Sequence, residues 1–312
     1  MSKSEALVEK LKEFILRNFS EYGYAVGVRR MDGLPLEKMR SGKFCWLRPS
    51  SRCWYADPMI RKVQGKYYVF MEQFDLSDGK GKIAVSEISN GRIGKPKTVI
   101  NAPFHLSFPN VFEFDGMYYM VPECTASHAV KIYKMGASVY DWEELISIPI
   151  ENCVDTAVLQ KKNALYLVSS ELDKSDILRA RKIVIKIEDF PYGKPQIYRN
   201  PNAAFSYAER NGGGLLSDGE GLYCVNQVST STAYGQYMEI LAFTLNSDCT
   251  VTEKKISTIQ KEDITSPILT YPILLKSDTH TYSASADFEY EAVDIGCTYF
   301  SLENFIRKKM RK

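Results

Sequence analysis

The stretch DPMIRKVQGKYYVFMEQ (57–73) has the pattern of two strands around a tight turn: an apolar run, Gln-Gly, then an aromatic run. The pattern returns as NVFEFDGMYYMVPE (110–123), DTAVLQKKNALYLVSSE (155–171) and GGLLSDGEGLYCVNQ (213–227), and more faintly as PILLKSDTHTYSASAD (272–287). With Tyr68, Tyr119, Tyr166, Tyr223 and Tyr282 as markers, the spacings are 51, 47, 57 and 59 residues. Each interval holds about four strands of ordinary length plus turns. Four antiparallel strands per repeat make a propeller blade, so the chain is predicted to be all-β, a five-bladed β-propeller. A large sandwich also has regular strands and turns, but it does not require a repeated hairpin followed by a similar polar position. YAVGV (24–28) and FCWL (44–47) are available as strands that close the ring and remove its free edges.

Outside the repeats, residues 4–19 carry apolar positions at helical spacing after Ser4, and a weaker helical signal spans 301–310. The expected organisation is an N-terminal helix (1–20), the propeller (21–300) and a basic tail (301–312) with Arg307, Lys308, Lys309, Arg311 and Lys312. Lys plus Arg total 40 against 38 Asp plus Glu, a balance that gives no electrostatic reason to expect a nucleic-acid partner. A secretory leader and an 18-residue apolar run are both missing from the chain, and the seven cysteines are scattered without a CxxC pair. These features predict a cytoplasmic protein with reduced, mostly buried thiols. The basic tail offers a contact to anionic lipid, though a solvated tail is the commoner use of such a segment.

Polar residues repeat in register with the hairpins. Four positions beyond the marker tyrosines stand Glu72, Glu123, Ser170 and Gln227, and the fifth count lands on Ala286 beside Asp287. The first strands begin at Asp57, Asn110, Asp155 and the Arg210–Gly214 stretch. In a propeller these two rings converge on one mouth of the axial channel. Paired carboxyls there suit glycosyl chemistry, in which one protonates a leaving oxygen and the other activates a nucleophile. Each carboxylate alone is equally at home capping a turn or accepting backbone amides; the set in register is what draws attention to the mouth.

These residues carry a family resemblance. YADPMIRKVQGKYYVFMEQF (55–74) resembles the first blade of family 43 glycoside hydrolases, whose Ala-Asp-Pro supplies the general base, here Asp57. Closer still is the resemblance to the propeller domain at the N-terminus of plant glucosamine inositolphosphorylceramide transferases and in bacterial polysaccharide-biosynthesis proteins. It is carried by YADP (55–58), GKGKIAVSEI (79–88), PFHLSFPNVFEFDGMYYMVPE (103–123), VDTAVLQKKNALYLV (154–168), RNGGGLLSDGEGLYCVNQ (210–227), YGQYMEI (234–240) and HTYSASADFEYEAVD (280–294). This resemblance implies His105, Ser107, Glu123, Arg210, Gln227, Tyr234 and His280 as pocket residues. The hydrolases' second-blade aspartate falls near Asn110, which cannot ionise, and their third-blade acid has only Asp155 and Glu171 nearby. Both departures count against ordinary hydrolysis.

The expectation is therefore a carbohydrate-active protein of polysaccharide or glycolipid assembly, transferring a glycosyl group from a phosphate-bearing donor to a glycan or glycolipid acceptor. Asp57 is the expected base, and Glu123 the second carboxylate, with Asp155 beside them. Arg210 and His105 are expected at the donor phosphate. Trp54 is a sugar platform, and Glu72, Ser107, Asn110, Gln227, Tyr234 and His280 are substrate contacts. No cofactor is expected; two histidines among carboxylates keep a divalent metal as an alternative. A family 43-like hydrolase and a non-catalytic glycan-binding propeller working with a separate transferase are the rival readings.

Overall fold

A computed structural model describes residues 20–31, 43–264, 274–275, 278–301 and 306. The predicted helix over 4–19 and the basic residues 307–312 lie outside the described residues. The described strands form five antiparallel sheets, each with four strands radiating from a common axis and three with an extra edge segment, and together they build a five-bladed β-propeller.

Blade 1 runs outward from Cys53–Val63 through Lys66–Asp75 and Lys80–Ser89 to edge strands Arg92–Ile93 and Lys97–Ile100. Blade 2 comprises Ser107–Phe114, Met117–Glu123, Ala129–Met135 and Trp142–Pro149; blade 3 comprises Cys153–Lys161, Ala164–Leu172, Ala180–Ile187 and Pro195–Arg199. In blade 4 the inner edge is Arg210–Asn211 with Leu216–Ser217, followed by Leu222–Thr230, Ala233–Leu245 and Val251–Ile259. Blade 5 joins the two ends of the chain. Its inner strands Leu274–Leu275 and Tyr282–Ala284 pair with Tyr290–Phe300, which pairs along its whole length with Ser20–Arg30, and Cys45–Leu47 completes the outside. The segments at 24–28 and 44–47 thus close the ring.

The inner and middle strands of each sheet are buried on both faces over much of their length, whereas outer strands such as Trp142–Pro149, Pro195–Arg199 and Val251–Ile259 are largely exposed and polar. Period-2 alternation sends successive side chains to opposite neighbours. In blade 1, Tyr68 and Phe70 pack with blade 2 residues Met120 and Tyr133, while Val69 and Met71 pack with blade 5 residues Val26 and Ala292. Similar clusters fill the other three interfaces.

Three inner strands share one local device. The pairing register slips between Ala56 and Met59, between Ser107 and Asn110, and between Val154 and Ala157. The first bulged residue has positive φ each time: Asp57 (51°), Phe108 (44°) and Asp155 (48°). Such bulges re-aim a side chain where the ladder would otherwise fix it. At Asp57 and Asp155 they turn the carboxylate toward the mouth of the ring, and at Phe108 they turn the amide toward Asp57. The fifth marker behaves differently from the other four. Tyr282 lies on an innermost strand of its blade, so Ala286 and Asp287 fall in a hairpin turn, where Asp287 accepts from Ser285, Tyr67 and Lys62.

Candidate active site

Register places Glu72 opposite Ala56, Glu123 opposite Ser107, Ser170 opposite Val154 and Gln227 opposite Arg210. The count of four from the first four tyrosines therefore lands on equivalent positions, the first three each beside a bulge. Five carboxyls from four blades meet at this mouth: Asp57, Glu72, Glu123, Asp155 and Asp294. Their mutual repulsion contributes to the upward shift of Glu72, whose neighbours include Asp57, Glu123, Asp294 and Asp155. Across the axis, Asn110 of blade 2 lies against Gly214 of blade 4, where a Cβ on the glycine would come within 3.2 Å of the Asn110 Nδ2.

Asp57 sits in a shell of donors. Its Oδ2 accepts from the Phe108 amide (3.1 Å) and its Oδ1 from the Thr281 hydroxyl (2.8 Å), with His280 Nδ1 at 3.5 Å. Its own amide donates to Asp294 Oδ2 at 3.0 Å. Asp294 Oδ1 also accepts the amides of His280 and Thr281, each at 3.1 Å, and its Oδ2 lies 2.9 Å from His280 Nδ1. Burial opposes charge on both Asp294 and His280, but each stabilises the other. Asp294 is held below the usual carboxylate range, and His280 is pushed up to about 9. Burial and the Asp294 charge raise Asp57, against the pull of His280, Thr281 and Arg210.

Glu72 is the opposite case. Burial first, then the surrounding carboxylates, push it well above its ordinary value, and its buried Oε1 has no hydrogen-bond partner. The nearest polar group is His105 Nε2 at 3.4 Å. The Gly81 amide donates to His105 Nδ1 (3.0 Å), so the neutral ring carries its proton on Nε2, facing Glu72. Burial and the neighbouring carboxylates thus favour the un-ionised form of Glu72.

Arg210 donates through Nε to Asp155 and lies over the Tyr234 ring at 5.1 Å. Burial lifts Asp155 to about 6 despite this partner, helped by Asp57 and Glu123. Glu123 accepts from Ser107 Oγ (3.1 Å) and the Thr125 amide (2.7 Å). Gln227 Nε2 reaches Ser229 Oγ at 3.4 Å, and the Asn110 Nδ2 is buried without a partner. Trp54 stacks on Phe74 at 4.5 Å and 3°, and begins an arc of rings that continues through Tyr24 to His280 and Tyr234. The mouth remains reachable, since the Asp57 side chain keeps 12% exposure and that of Arg210 19%.

The twelve residues expected as catalytic or substrate-contacting therefore belong to this mouth or its rim, whereas Glu171, the other third-blade acid considered, pairs with Arg181 and Arg199. Arg210 and His105, expected at a donor phosphate, instead contact Asp155 and Glu72. Asp294, Thr281, Tyr24 and Phe74 were missed. Asp294 left a trace, as an acid within the apolar stretch AVDIG (292–296), four residues past Tyr290. Among the described residues, Asp57, His280 and Asp294 form the group spaced for a metal ion. Both Asp294 oxygens already accept two protein donors each and Asp57 accepts one on each oxygen, so the group does not fit a metal without dismantling that network. Hollows of about 220, 440 and 570 Å³ lie elsewhere, between blades 3 and 4 and under the hairpins of blades 1 and 3. The convergence of ionisable groups, not concave volume, marks the mouth as the site.

Residues 48–264 match the family described as glucosamine inositolphosphorylceramide transferase 1, N-terminal. The chain is 28% identical over 179 residues to glucosamine inositolphosphorylceramide transferase 1 of Arabidopsis thaliana, covering 55% of this chain and 23% of that protein. The Oryza sativa subsp. indica protein of the same name is 24% identical over 196 residues, covering 59% and 25% respectively. The chain thus spans about a quarter of the length of these relatives. Among solved structures, it is similar to an α-L-arabinofuranosidase from Podospora anserina in complex with cellotriose (TM-score 0.53, 11% identity, covering 79% of this chain and 91% of that one). A GH43 β-1,3-galactosidase with galactodeoxynojirimycin is also similar (TM-score 0.52, 10% identity, covering 74% and 90%). At such identities the likeness is one of fold.

Proposed function

Because the chain belongs to the family of the glucosamine inositolphosphorylceramide transferase 1 N-terminal domain, we propose that its axial mouth makes or breaks a glycosidic bond in glycolipid or polysaccharide assembly. One observation carries this reading: two neighbouring carboxyls are given opposed environments. Among the described residues Glu72 has only His105 Nε2 beside its Oε1, at 3.4 Å and not hydrogen-bonded, whereas Asp57 has two hydrogen-bond donors with His280 beside it. Environments that pull paired carboxyls apart assign the acid and the base.

In this reaction Asp57 takes the proton of an acceptor hydroxyl, whose oxygen bonds to the anomeric carbon. The bond from that carbon to the leaving oxygen breaks as Glu72 delivers its proton there. The acceptor is a sugar or lipid alcohol in transfer, or water in hydrolysis. Trp54 and Tyr234 offer faces for the sugar ring. Arg210, aligned by Asp155, is placed to bond a ring hydroxyl.

The charge balance of the mouth bears on the donor. Among the described residues its two cations, Arg210 and His280, are each matched by a carboxylate, Asp155 and Asp294. A diphosphate leaving group needs unmatched cations, whereas an alkoxide needs a proton. A neutral glycoside donor is better supported than the phosphate-bearing one expected from the sequence.

The test is turnover of neutral aryl and alkyl glycosides, with and without glycan acceptors, beside a panel of nucleotide sugars. Asp57→Asn and Glu72→Gln are each expected to lower the rate by roughly 10²–10⁴-fold. Full activity in both variants overturns the assignment. The rival reading is a propeller that only holds a glycan while transfer is carried out elsewhere. That reading expects saturable glycan binding, no turnover and indifference to Asp57→Asn.

A further inference from the structure

Between blades 3 and 4 the structure buries a cation that the mouth does not touch. Lys182, on Ala180–Ile187, has a side chain only 7% exposed. Its ammonium donates to the side-chain carbonyls of Asn211 and Asn226 (2.8 Å to the latter), with Glu253 at 3.6 Å. Withdrawing an ammonium from water costs several kcal/mol unless its protons are satisfied. Here they are, by two asparagines that are themselves buried.

Asn211 hands this anchoring on toward the axis. Its Nδ2 donates to the Asp155 carbonyl (2.6 Å) and the Val168 carbonyl (2.8 Å), and its amide donates to Ser170 Oγ (2.8 Å). Asp155 is one of the bulged residues, at φ 48°. A non-glycine residue in that region persists only where its surroundings over-determine it. Arg210, the partner of the Asp155 carboxylate, is the residue next to Asn211 in the chain. One asparagine therefore fixes both halves of the Asp155–Arg210 pair.

We propose that Lys182 is a positioning residue of the mouth: through Asn211 it holds the Asp155 backbone in its left-handed conformation and keeps the Asp155 carboxylate against Arg210. Its relevance to turnover rests on the acid–base reading above. The tether itself does not. A residue placed only to fill the interface would do so better as leucine, without a desolvation cost or two buried amides.

The experiment is a pH titration of the full chain carrying ¹³C in its aspartate carboxyls, with Asp155→Asn assigning the resonance. Asp155 faces Arg210, Asp57, Glu123, Glu72 and Tyr234, and is expected to titrate near 6 in the parent protein. Lys182→Met keeps the volume and removes the ammonium. Asn211→Ala cuts the same link while leaving Lys182 with Asn226 and Glu253, so it serves should the first variant not fold. Each is expected to raise the Asp155 midpoint by roughly half a pH unit or more as Arg210 is released. Lys182→Arg should restore part of the difference. An Asp155 midpoint unchanged in either folded variant overturns the tether. Since the titration needs no substrate, inactivity toward glycosides would instead count against the acid–base reading.

Discussion

Glu72 shows how a single side chain acquires a role from what surrounds it. If it is the acid, its loss should matter in proportion to the basicity of the leaving oxygen. Glu72→Gln is expected to slow alkyl glycosides by roughly 10²-fold or more and nitrophenyl glycosides far less, in steady-state kinetics. His280 gives a second expectation. The folded imidazole keeps its proton to about 9, whereas an unperturbed one titrates near 6.5. Its contribution to stability is therefore present in full below pH 6.5 and lost as pH rises through 9. Denaturant unfolding at pH 6 and pH 9.5 should show a larger drop for the parent than for His280→Asn. Glu72 and Glu123 were legible in the sequence because counting from a tyrosine within a strand preserves register. The identity of their partners was not, since His105 and Thr125 come from segments outside the strands that carry the two glutamates.

At the scale of the strand and its turns, the bulge is the element that builds the site. Asp57, Phe108 and Asp155 occupy equivalent places, yet only two are acids. The sequence directed attention to Asn110 as the second-blade counterpart, two residues past the equivalent Phe108, because hydrophobic patterning does not reveal a bulge. Phe108 contributes its amide instead, donated to Asp57. Gly81 is the other element-level constraint. A Cβ there would lie 2.4 Å from the Leu106 carbonyl oxygen and 2.6 Å from Glu72 Oε1. Gly81→Ala is expected to destabilise the fold by about 1–3 kcal/mol in denaturant titrations, because the obstruction includes backbone. The fifth repeat misled because Tyr282 stands on the inner strand of its blade, whereas Tyr290 lies on the second strand, where the other four markers lie. Four positions beyond Tyr290 stands Asp294.

Across the whole ring, closure couples the chain's two ends. Ser20–Arg30 covers the edge of Tyr290–Phe300, from Ser20 opposite Phe300 to Arg30 opposite Tyr290. Removing residues 1–31 would expose that strand and strip Ala25, Val26 and Val28 from two inter-blade clusters. Loss of a monomeric, cooperatively folded species is expected, read by size-exclusion chromatography and thermal unfolding. The number of blades was legible because each repeat is a local hairpin. Contacts across the axis, such as Asn110 with Gly214, depend on the ring's curvature and left no mark in one sequence.

That the ring gathers these groups to hold a sugar is tested most directly by a crystal structure of the parent protein soaked with a mixed neutral oligosaccharide digest. Sugar density within hydrogen-bonding distance of Asp57, Glu72 and Arg210, with a ring on Trp54 or Tyr234, is the expected result. An empty mouth with sugar ordered in the hollow between blades 3 and 4, or beneath the hairpins, would contradict it.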